Sequence, residues 1–436
     1  MSTTTTDPAI EVGGWLEDNW DPDLSLAEWW QRLGLAGWAA PMLPEGCYGR
    51  GLTRLDAIRV GRLISEFGAV GAPFGLGLSL AAPTIVAHGT SEQIDRYVPG
   101  IVTGQRAWCQ LFSEPGAGSD LAGLSTRAVR DGEAWVVNGQ KVWTSGGHLA
   151  DFGMLLARTD PTAPKHRGIT WFALDMHQPG VEVRPLREMT GNTMFSEVFF
   201  TDAYAADQAR IGELNSGWAV ANTTLAYERS GMGAGGEGRG LGLMARPGTV
   251  SGDLERRAGD FVRKPASSPA SSAVGSPRGS PAAAVIQLAR SFGRDEDPVI
   301  RQGLAQSHIL GELTRLNTER HKATRAAGGD IGGIANFSKL LMAPVLRHNR
   351  DLSAQILGAR ATLHGYDAAG RQTLAGAQGG PAAEMVTAQI LSAQALPIFG
   401  GTDQIQRNII GERTLGLPKE PGDPSRLPFN ELPPSN

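Results

Sequence analysis

Residues 111–120 read L-F-S-E-P-G-A-G-S-D, and the fold is decided by what lies on either side of them. Before this stretch, from about residue 15 to 108, apolar residues recur at helical spacing. Leu55, Ile58, Leu63, Ile64 and Phe67 share one side of a helix, and Trp29, Trp30 and Leu33 mark another. After it the period shortens. A-W-V-V at 134–137 and Q-K-V-W at 140–143 flank Asn138-Gly139, a dipeptide that signals a two-residue hairpin. Strand-like runs follow at 153–157, 169–174, 181–183 and 197–200, which predicts a compact β domain, sandwich or barrel. From about 213 helical spacing returns with Trp218, Ala221, Thr224, Leu225 and Glu228. Further helices are expected near 299–327, 337–357 and 382–395. Helices, then strands, then helices is an α+β order, not the alternation of a doubly wound sheet.

The expected divisions are a disordered tail at 1–14, a helical domain at 15–108, a β domain at 109–212, a helical domain at 213–420 and a tail at 421–436. Pro265, Pro269, Pro277 and Pro281 stand among Ser, Ala and Gly in residues 263–284. Such a segment buries too little apolar surface to offset its ordering entropy, so a mobile insertion is expected there, either a tolerated surface loop or a partner-binding segment.

The chain has 436 residues, 41% of them hydrophobic and 19% charged, the balance of a soluble globular protein. A net charge of −4 gives no argument for nucleic acid or an anionic membrane as partner. The two cysteines, Cys47 and Cys109, lack C-x-x-C spacing, which fits a reducing compartment without a disulfide framework or zinc site. The first residues, M-S-T-T-T-T-D-P, carry neither a basic nor an apolar signal region, and no apolar run reaches the roughly 18 residues of a membrane helix. A cytoplasmic location is expected.

Several motifs bear on chemistry. Gly116 and Gly118 let the backbone pass close to a planar ligand where a Cβ would clash, and Ser113 and Ser119 add hydroxyl groups. W-T-S-G follows at 143–146, and I-F-G-G-T-D-Q-I-Q-R-N stands at 398–408. Residues 231–236 satisfy G-x-G-x-x-G, but that fingerprint works only between a strand and a helix of a βαβ unit. The residues before it read as helix, so these glycines are expected to serve packing and a turn. The eight histidines show no H-E-x-x-H spacing and no G-x-S-x-G elbow occurs, so metal and serine-hydrolase chemistry have no support.

The strings at 111–120, 143–146 and 398–408 together resemble the acyl-CoA dehydrogenase family, and the resemblance runs from roughly 15 to 420. It implies an N-terminal helical domain, a middle β-barrel or sandwich and a C-terminal four-helix bundle. It also implies FAD at a subunit interface, with a homotetramer or a heterotetramer containing a related subunit. By resemblance, Gln110, Phe112, Ser113, Gly118 and Ser119 wrap the flavin, and Ser119 also lies near the CoA moiety. Trp143, Thr144 and Ser145 cover one face of the ring. Gly401, Thr402 and Gln404 lie along it. Gln355 and Gly358, in Q-I-L-G-A, resemble the Q-I-F-G-G that approaches the adenine and pyrophosphate, with Ala359 in place of its second glycine. The family's R-K-x-F-G becomes A-R-S-F-G at 289–293, which leaves Arg290 or Arg301 as the candidate pyrophosphate ligand, or Arg290 as an ordinary surface arginine.

The reaction implied is α,β-dehydrogenation of an acyl-CoA thioester to the trans-2-enoyl-CoA, a step of fatty acid or lipid β-oxidation, with an electron-transfer flavoprotein as acceptor. Physically it requires a base for the α-proton, stabilisation of the enolate oxygen and a hydride path to flavin N5. Many members carry the base as a glutamate where this chain has Gly400. Gly400 keeps its backbone N–H, which in the family helps hold the thioester oxygen. Another branch places the base on a bundle helix just before an arginine, and L-A-Y-E-R at 225–229 matches it. Glu228 is therefore expected as the base, its pKa rising as substrate excludes water. Arg229 is expected to position that base or contact substrate. A solvated Glu228–Arg229 pair is the bland alternative, but adjacent helix residues do not face each other. Helix-borne bases occur in members that take branched, long or bulky chains, steroid side chains included. Two other readings remain: a flavin oxidase or monooxygenase on the same fold, and a non-catalytic or co-catalytic subunit of a heteromeric dehydrogenase.

Overall fold

The structure is a computed structural model that describes residues 7–233, 252–262, 281–329, 334–419 and 427–432. It opens with α1 (Pro8–Asn19), α2 (Leu26–Leu35), α3 (Arg54–Phe67), α4 (Ala82–His88) and α5 (Ser91–Val102). Helix α1 replaces the second half of the tail expected at 1–14. Asp7 caps it by accepting from the Ala9 N–H, Pro8 occupies its first turn, and Val12 and Leu16 are buried. An Asp-Pro start is a helix signal in its own right. Helix α2 buries Trp29, Trp30 and Leu33 as expected. The two indoles donate to the Val70 and Gly71 carbonyls at 2.7 and 2.8 Å. Helix α3 forms where its period indicated, yet only Val60 and Ile64 are buried, while Leu55 is 75% and Ile58 54% exposed. It packs chiefly on α1 at the margin of the core, so one narrow stripe suffices to hold it.

Eight strands follow: β1 (Trp108–Leu111), β2 (Arg127–Asp131), β3 (Ala134–Ser145), β4 (Phe152–Arg158), β5 (Ile169–Asp175), β6 (Val181–Leu186), β7 (Phe195–Ala206) and β8 (Arg210–Ile211). Their order is β6-β7-β3-β2-β4-β5-β8, with β1 pairing in parallel with β4. The hairpin expected at Asn138-Gly139 is not there. Its turn lies at Gly132-Glu133, where Asp131 faces Ala134 and Gly132 takes φ +59°. Residues 134–145 form one continuous strand, and Asn138-Gly139 is a bulge against β7. Asn138 is held there by Asp202 through two hydrogen bonds, of 2.9 and 3.1 Å. A Cβ on Gly139 would meet Thr126 Oγ1 at 2.5 Å, so the glycine serves close packing beneath the bulge.

Strands β4 and β5 are apolar on both faces because both are covered. Leu155, Ala157, Phe172 and Leu174 join Val198 and Phe200 of β7 in a core inside the curled sheet. Met154, Leu156, Trp171 and Ala173 face the N-terminal helices.

The last part contains α6 (Gly217–Gly233), α7 (Pro281–Ser291), α8 (Pro298–Ala326), α9 (Ile334–Leu357), α10 (Ala368–Gly376), α11 (Gly380–Ser392) and α12 (Asp403–Ile409). Val285, Ala289, Ile300, Leu352, Ile356 and Val386, from α7, α8, α9 and α11, make the core of the bundle. Pro281 opens α7, so the end of the expected insertion is helical, and residues 263–280 lie outside those described. Gly231 and Gly233 end α6, and 234–236 lie outside the described residues. Part of the expected C-terminal tail is also ordered. Phe429 N donates to the Ala163 carbonyl and Asn430 N to that of Pro161, both at 3.0 Å, on the loop between β4 and β5. Among the described residues no helix is long and apolar enough to cross a membrane.

Candidate active site

Two arms of the site leave the β sheet. The first begins in β1 with Gln110 and continues through Phe112, which is buried, to a loop where Gly118 and Ser119 are exposed. Gly116 and Gly118 have no positive φ, and a Cβ on either would meet nothing within 4 Å. Neither backbone strain nor packing inside the chain demands glycine at these positions, which leaves room for a group from outside it. The second arm is the end of β3. A register shift between Lys141 and Thr144 puts Trp143 at φ +61° and turns its indole outward, 62% exposed, edge-on to Phe195. Thr144 points the other way and is fully buried, and its Oγ1 finds no hydrogen-bond partner among the described residues. A buried hydroxyl without a partner is costly, so an external acceptor or donor is expected there.

Both arms are tied together. Val142 N donates to the Ser113 carbonyl at 2.9 Å. Beneath them Lys141, completely buried, donates to the Phe112 carbonyl at 2.9 Å and to Glu114 Oε1 at 2.8 Å. Glu114 also accepts from Ser125 N, Ser125 Oγ and Thr126 N. Burial pushes the Glu114 carboxyl up, but the Lys141 charge and these hydrogen bonds outweigh it and bring it down to about 2. At Lys141 the order is reversed: burial lowers the ammonium more than Glu114 raises it. Several donors converge on the Glu114 carboxylate and keep it ionised beside the ammonium. Sequence reading passed over both residues. The available signal was a lysine directly before Val142 and Trp143 in a strand-like run, where a buried ammonium needs a carboxylate within reach.

Glu228 rides on α6. This helix starts against the sheet, where a Cβ on Gly217 would meet Thr170 C at 2.6 Å. Its buried side runs through Val220, Ala221 and Thr224, and Glu228 continues the Val220–Thr224 row one turn on. Thr224 Oγ1 lies 3.0 Å from Thr84 Oγ1 of α4, and Thr223 lies 2.8 Å from His88 Nε2, which fixes the rotation of the helix. Glu228 is half-buried, and Gln110 Nε2 donates to its Oε2 at 3.4 Å. The carboxylate thus stands beside the strand that feeds the first arm and not on a solvated face. Arg229 follows on α6, and its side chain lies outside the described residues.

The other expected residues stand on the bundle. Gly400 and Gly401 take φ +64° and +84°, and their carbonyls accept from Gln406 Nε2 at 3.1 and 3.3 Å. Thr402 caps α12 by accepting from Ile405 N, and Gln404 is exposed. Lys339, buried in α9, holds the approach to this turn by donating to the Leu396 carbonyl at 2.7 Å, with Asp403 at 3.9 Å. Burial lowers the Lys339 ammonium, and Asp403 opposes that. Gln355 and Gly358 are exposed at the end of α9. Arg290 is exposed in the last turn of α7, whereas Ala289 is buried in the bundle core. Arg301 is exposed and 3.6 Å from Glu296. No cluster able to hold a metal ion occurs among the described residues.

Residues 12–105, 109–203 and 281–415 match, in turn, the N-terminal, middle and C-terminal domains of acyl-CoA dehydrogenase. The chain belongs to the acyl-CoA dehydrogenase family. Members of this family are oxidoreductases and flavoproteins. The chain is similar to the acyl-CoA dehydrogenase IpdE1 of Mycobacterium tuberculosis (strain ATCC 25618 / H37Rv), 32% identical over 94% of this chain and 97% of that protein. It is also similar to the acyl-CoA dehydrogenase FadE34 of the same organism, 35% identical over 91% of this chain, but it spans only 47% of that protein's length. Among solved structures, a chain of the ChsE4–ChsE5 complex from Mycobacterium tuberculosis superposes with a TM-score of 0.61 at 26% identity, covering 96% of this chain and 100% of that one. The α+β order read from periodicity, and the acyl-CoA dehydrogenase architecture implied by the motif strings, are thus the observed ones.

The exposed indole of Trp143, the unpartnered Thr144 hydroxyl and the open space at Gly116 and Gly118 fit a flavin on the β arms.

Proposed function

We propose that the chain catalyses FAD-dependent α,β-dehydrogenation of an acyl-CoA thioester, with Glu228 removing the α-proton. The observation that carries this reading is the Gln110–Glu228 hydrogen bond, which sets a helix-borne carboxylate against the strand leading into the flavin-facing loop. When bound, FAD supplies the acceptor for the β-hydride at N5.

The chain's own residues supply the rest. Gln110 orients the Glu228 carboxylate. Entry of an acyl chain excludes water from that carboxylate, which raises its proton affinity toward that of an effective general base. Gly400, whose carbonyl accepts from Gln406 Nε2, offers its own N–H to the thioester oxygen, where enolate charge develops. Because position 400 carries no side chain, space that a glutamate would fill is open to a branched or bulky acyl group. Trp143 and Thr144 hold the ring face and edge; Ser119 approaches the CoA moiety; Arg229 positions the base or the substrate. Gly401, Thr402 and Gln404 lie along the flavin, and Gln355, Gly358 and Arg290 complete the cofactor site of a neighbouring subunit. The electron acceptor is an electron-transfer flavoprotein.

A second reading, in which the partner is a related subunit and not a second copy, is favoured by one finding: a similar solved chain is part of a two-component complex. The two readings share the test. Purified protein is mixed anaerobically with a panel of acyl-CoAs, and flavin absorbance is followed for the parent and Glu228→Gln. Bleaching by one ester class, slowed about 10²- to 10⁴-fold in the variant with flavin content unchanged, is the expected result. Equal bleaching by parent and variant rejects Glu228 as base. Bleaching that appears only after a related subunit is added establishes the heteromer.

A further inference from the structure

The loop after Ser119 is held from an unexpected direction. Arg158, at the end of β4, is 3% exposed. Its Nη2 donates to the Ala122 carbonyl at 2.7 Å and to that of Leu124 at 3.1 Å, and its Nη1 donates to the Lys165 carbonyl at 2.8 Å. Lys165 in turn donates to both carboxylate oxygens of Asp120 at 2.9 Å. One guanidinium and one ammonium therefore tie residues 120–124 to the loop between β4 and β5. Over that guanidinium lies the ring of Phe429, 3.7 Å from its carbon to the ring centroid. Phe429 is itself fixed by its N–H to the Ala163 carbonyl and by the bridge between Pro428 and Pro164.

We propose that residues 427–432 form a clamp, with Phe429 as a positioning residue, that keeps the CoA-facing loop 119–124 in place through Arg158. The ring covers the guanidinium and keeps water from competing for the carbonyls of Ala122 and Leu124. In a dry site those charge-assisted bonds are stronger than they are in contact with solvent. The aromatic face also attracts the cation directly. That the loop serves coenzyme A rests on the function proposed above.

The test uses the full-length flavoprotein with Phe429→Ala and Phe429→Tyr. Hydrogen exchange over residues 119–126 is measured without ligand, and binding of free coenzyme A by calorimetry. Phe429→Ala is expected to speed exchange in this segment about tenfold and to weaken coenzyme A about fivefold. Phe429→Tyr, which keeps the ring, is expected to restore both. Unchanged exchange at 119–126 in the alanine variant, with loss confined to residues 158–166, overturns the clamp. So does a tyrosine variant as defective as alanine. Faster exchange with unaltered coenzyme A affinity overturns the link to substrate. If the parent has no affinity for coenzyme A, the function reading fails separately, and the exchange result alone judges the clamp.

Discussion

The arms of the site on the β sheet are shaped by contacts inside the chain, whereas Gln355, Gly358 and Arg290 on the bundle stand at exposed surfaces. Ser113 and Val142, the residue before Trp143 and Thr144, share a backbone bond and rest on a buried ion pair with converging donors. Gln355, Gly358 and Arg290 have no such backing among the described residues and are exposed. The difference indicates where each half gets its geometry. Under the proposed function, the β arms are preorganised for the flavin ring, while the exposed bundle surface would gain its geometry only when a second subunit and the cofactor meet it.

The strongest way to break this contrast is to remove one partner of the buried pair. Lys141→Met leaves the Glu114 carboxylate buried without its counter-charge, and about 3–5 kcal/mol of stability is expected to be lost, measured by chemical denaturation. Glu114→Gln combined with Lys141→Met should recover much of that loss, because no unpaired charge remains. If the single variant is as stable as the parent, the β arms are not held by this pair.

A finer test separates ligand binding from folding. Thr144 Oγ1 has no partner among the described residues, so Thr144→Val should leave the apoprotein as stable as before or slightly more so. FAD affinity should fall about tenfold if that hydroxyl serves the flavin. An unaltered FAD affinity would remove Thr144 from the site and weaken the case for preorganised arms.

Acid offers a third probe. Glu114 is held down to about 2, below its ordinary value of 4.5. A depressed carboxylate contributes stability that is fully present above its unfolded pKa and is lost as pH falls toward the folded one. Stability should therefore drop between about pH 5 and 2, and the drop should shrink in the Glu114→Gln, Lys141→Met protein, read as denaturation midpoints across that range.

The order of helices, strands and helices was legible because period and turn chemistry are local. Trp29, Trp30 and Leu33 went inside, and the strands at 153–157 and 169–174 formed within a residue or two of expectation. Asn138-Gly139 misled for a physical reason. A bulge and a hairpin turn ask for the same small, permissive residues, and only the pairing with β7 and the contact with Thr126 choose between them. The outward stripe of α3 shows the same limit, since periodicity finds a face but not what covers it. In the candidate site, the motif strings pointed to two stretches that the structure ties together through Val142 and Ser113, and Glu228 lies beside Gln110. The buried lysines 141 and 339 were missed because their partners lie 27 residues away at Glu114 and 57 away at the Leu396 carbonyl, and local pattern reading does not join such positions.

The smallest expected effect concerns the exposed half. Arg290 carries no ion pair among the described residues, while Arg301 is already engaged with Glu296. If the bundle surface serves a cofactor shared between subunits, Arg290→Ala should weaken FAD by about threefold to tenfold, and more so at protein concentrations low enough to dissociate the oligomer. Arg301→Ala should matter less, because its guanidinium must first leave Glu296. A larger loss with Arg301 would reassign the pyrophosphate ligand. Equal, negligible losses with both would mean that this surface contributes shape and not charge, and the contrast between the two halves would then be sharper than drawn.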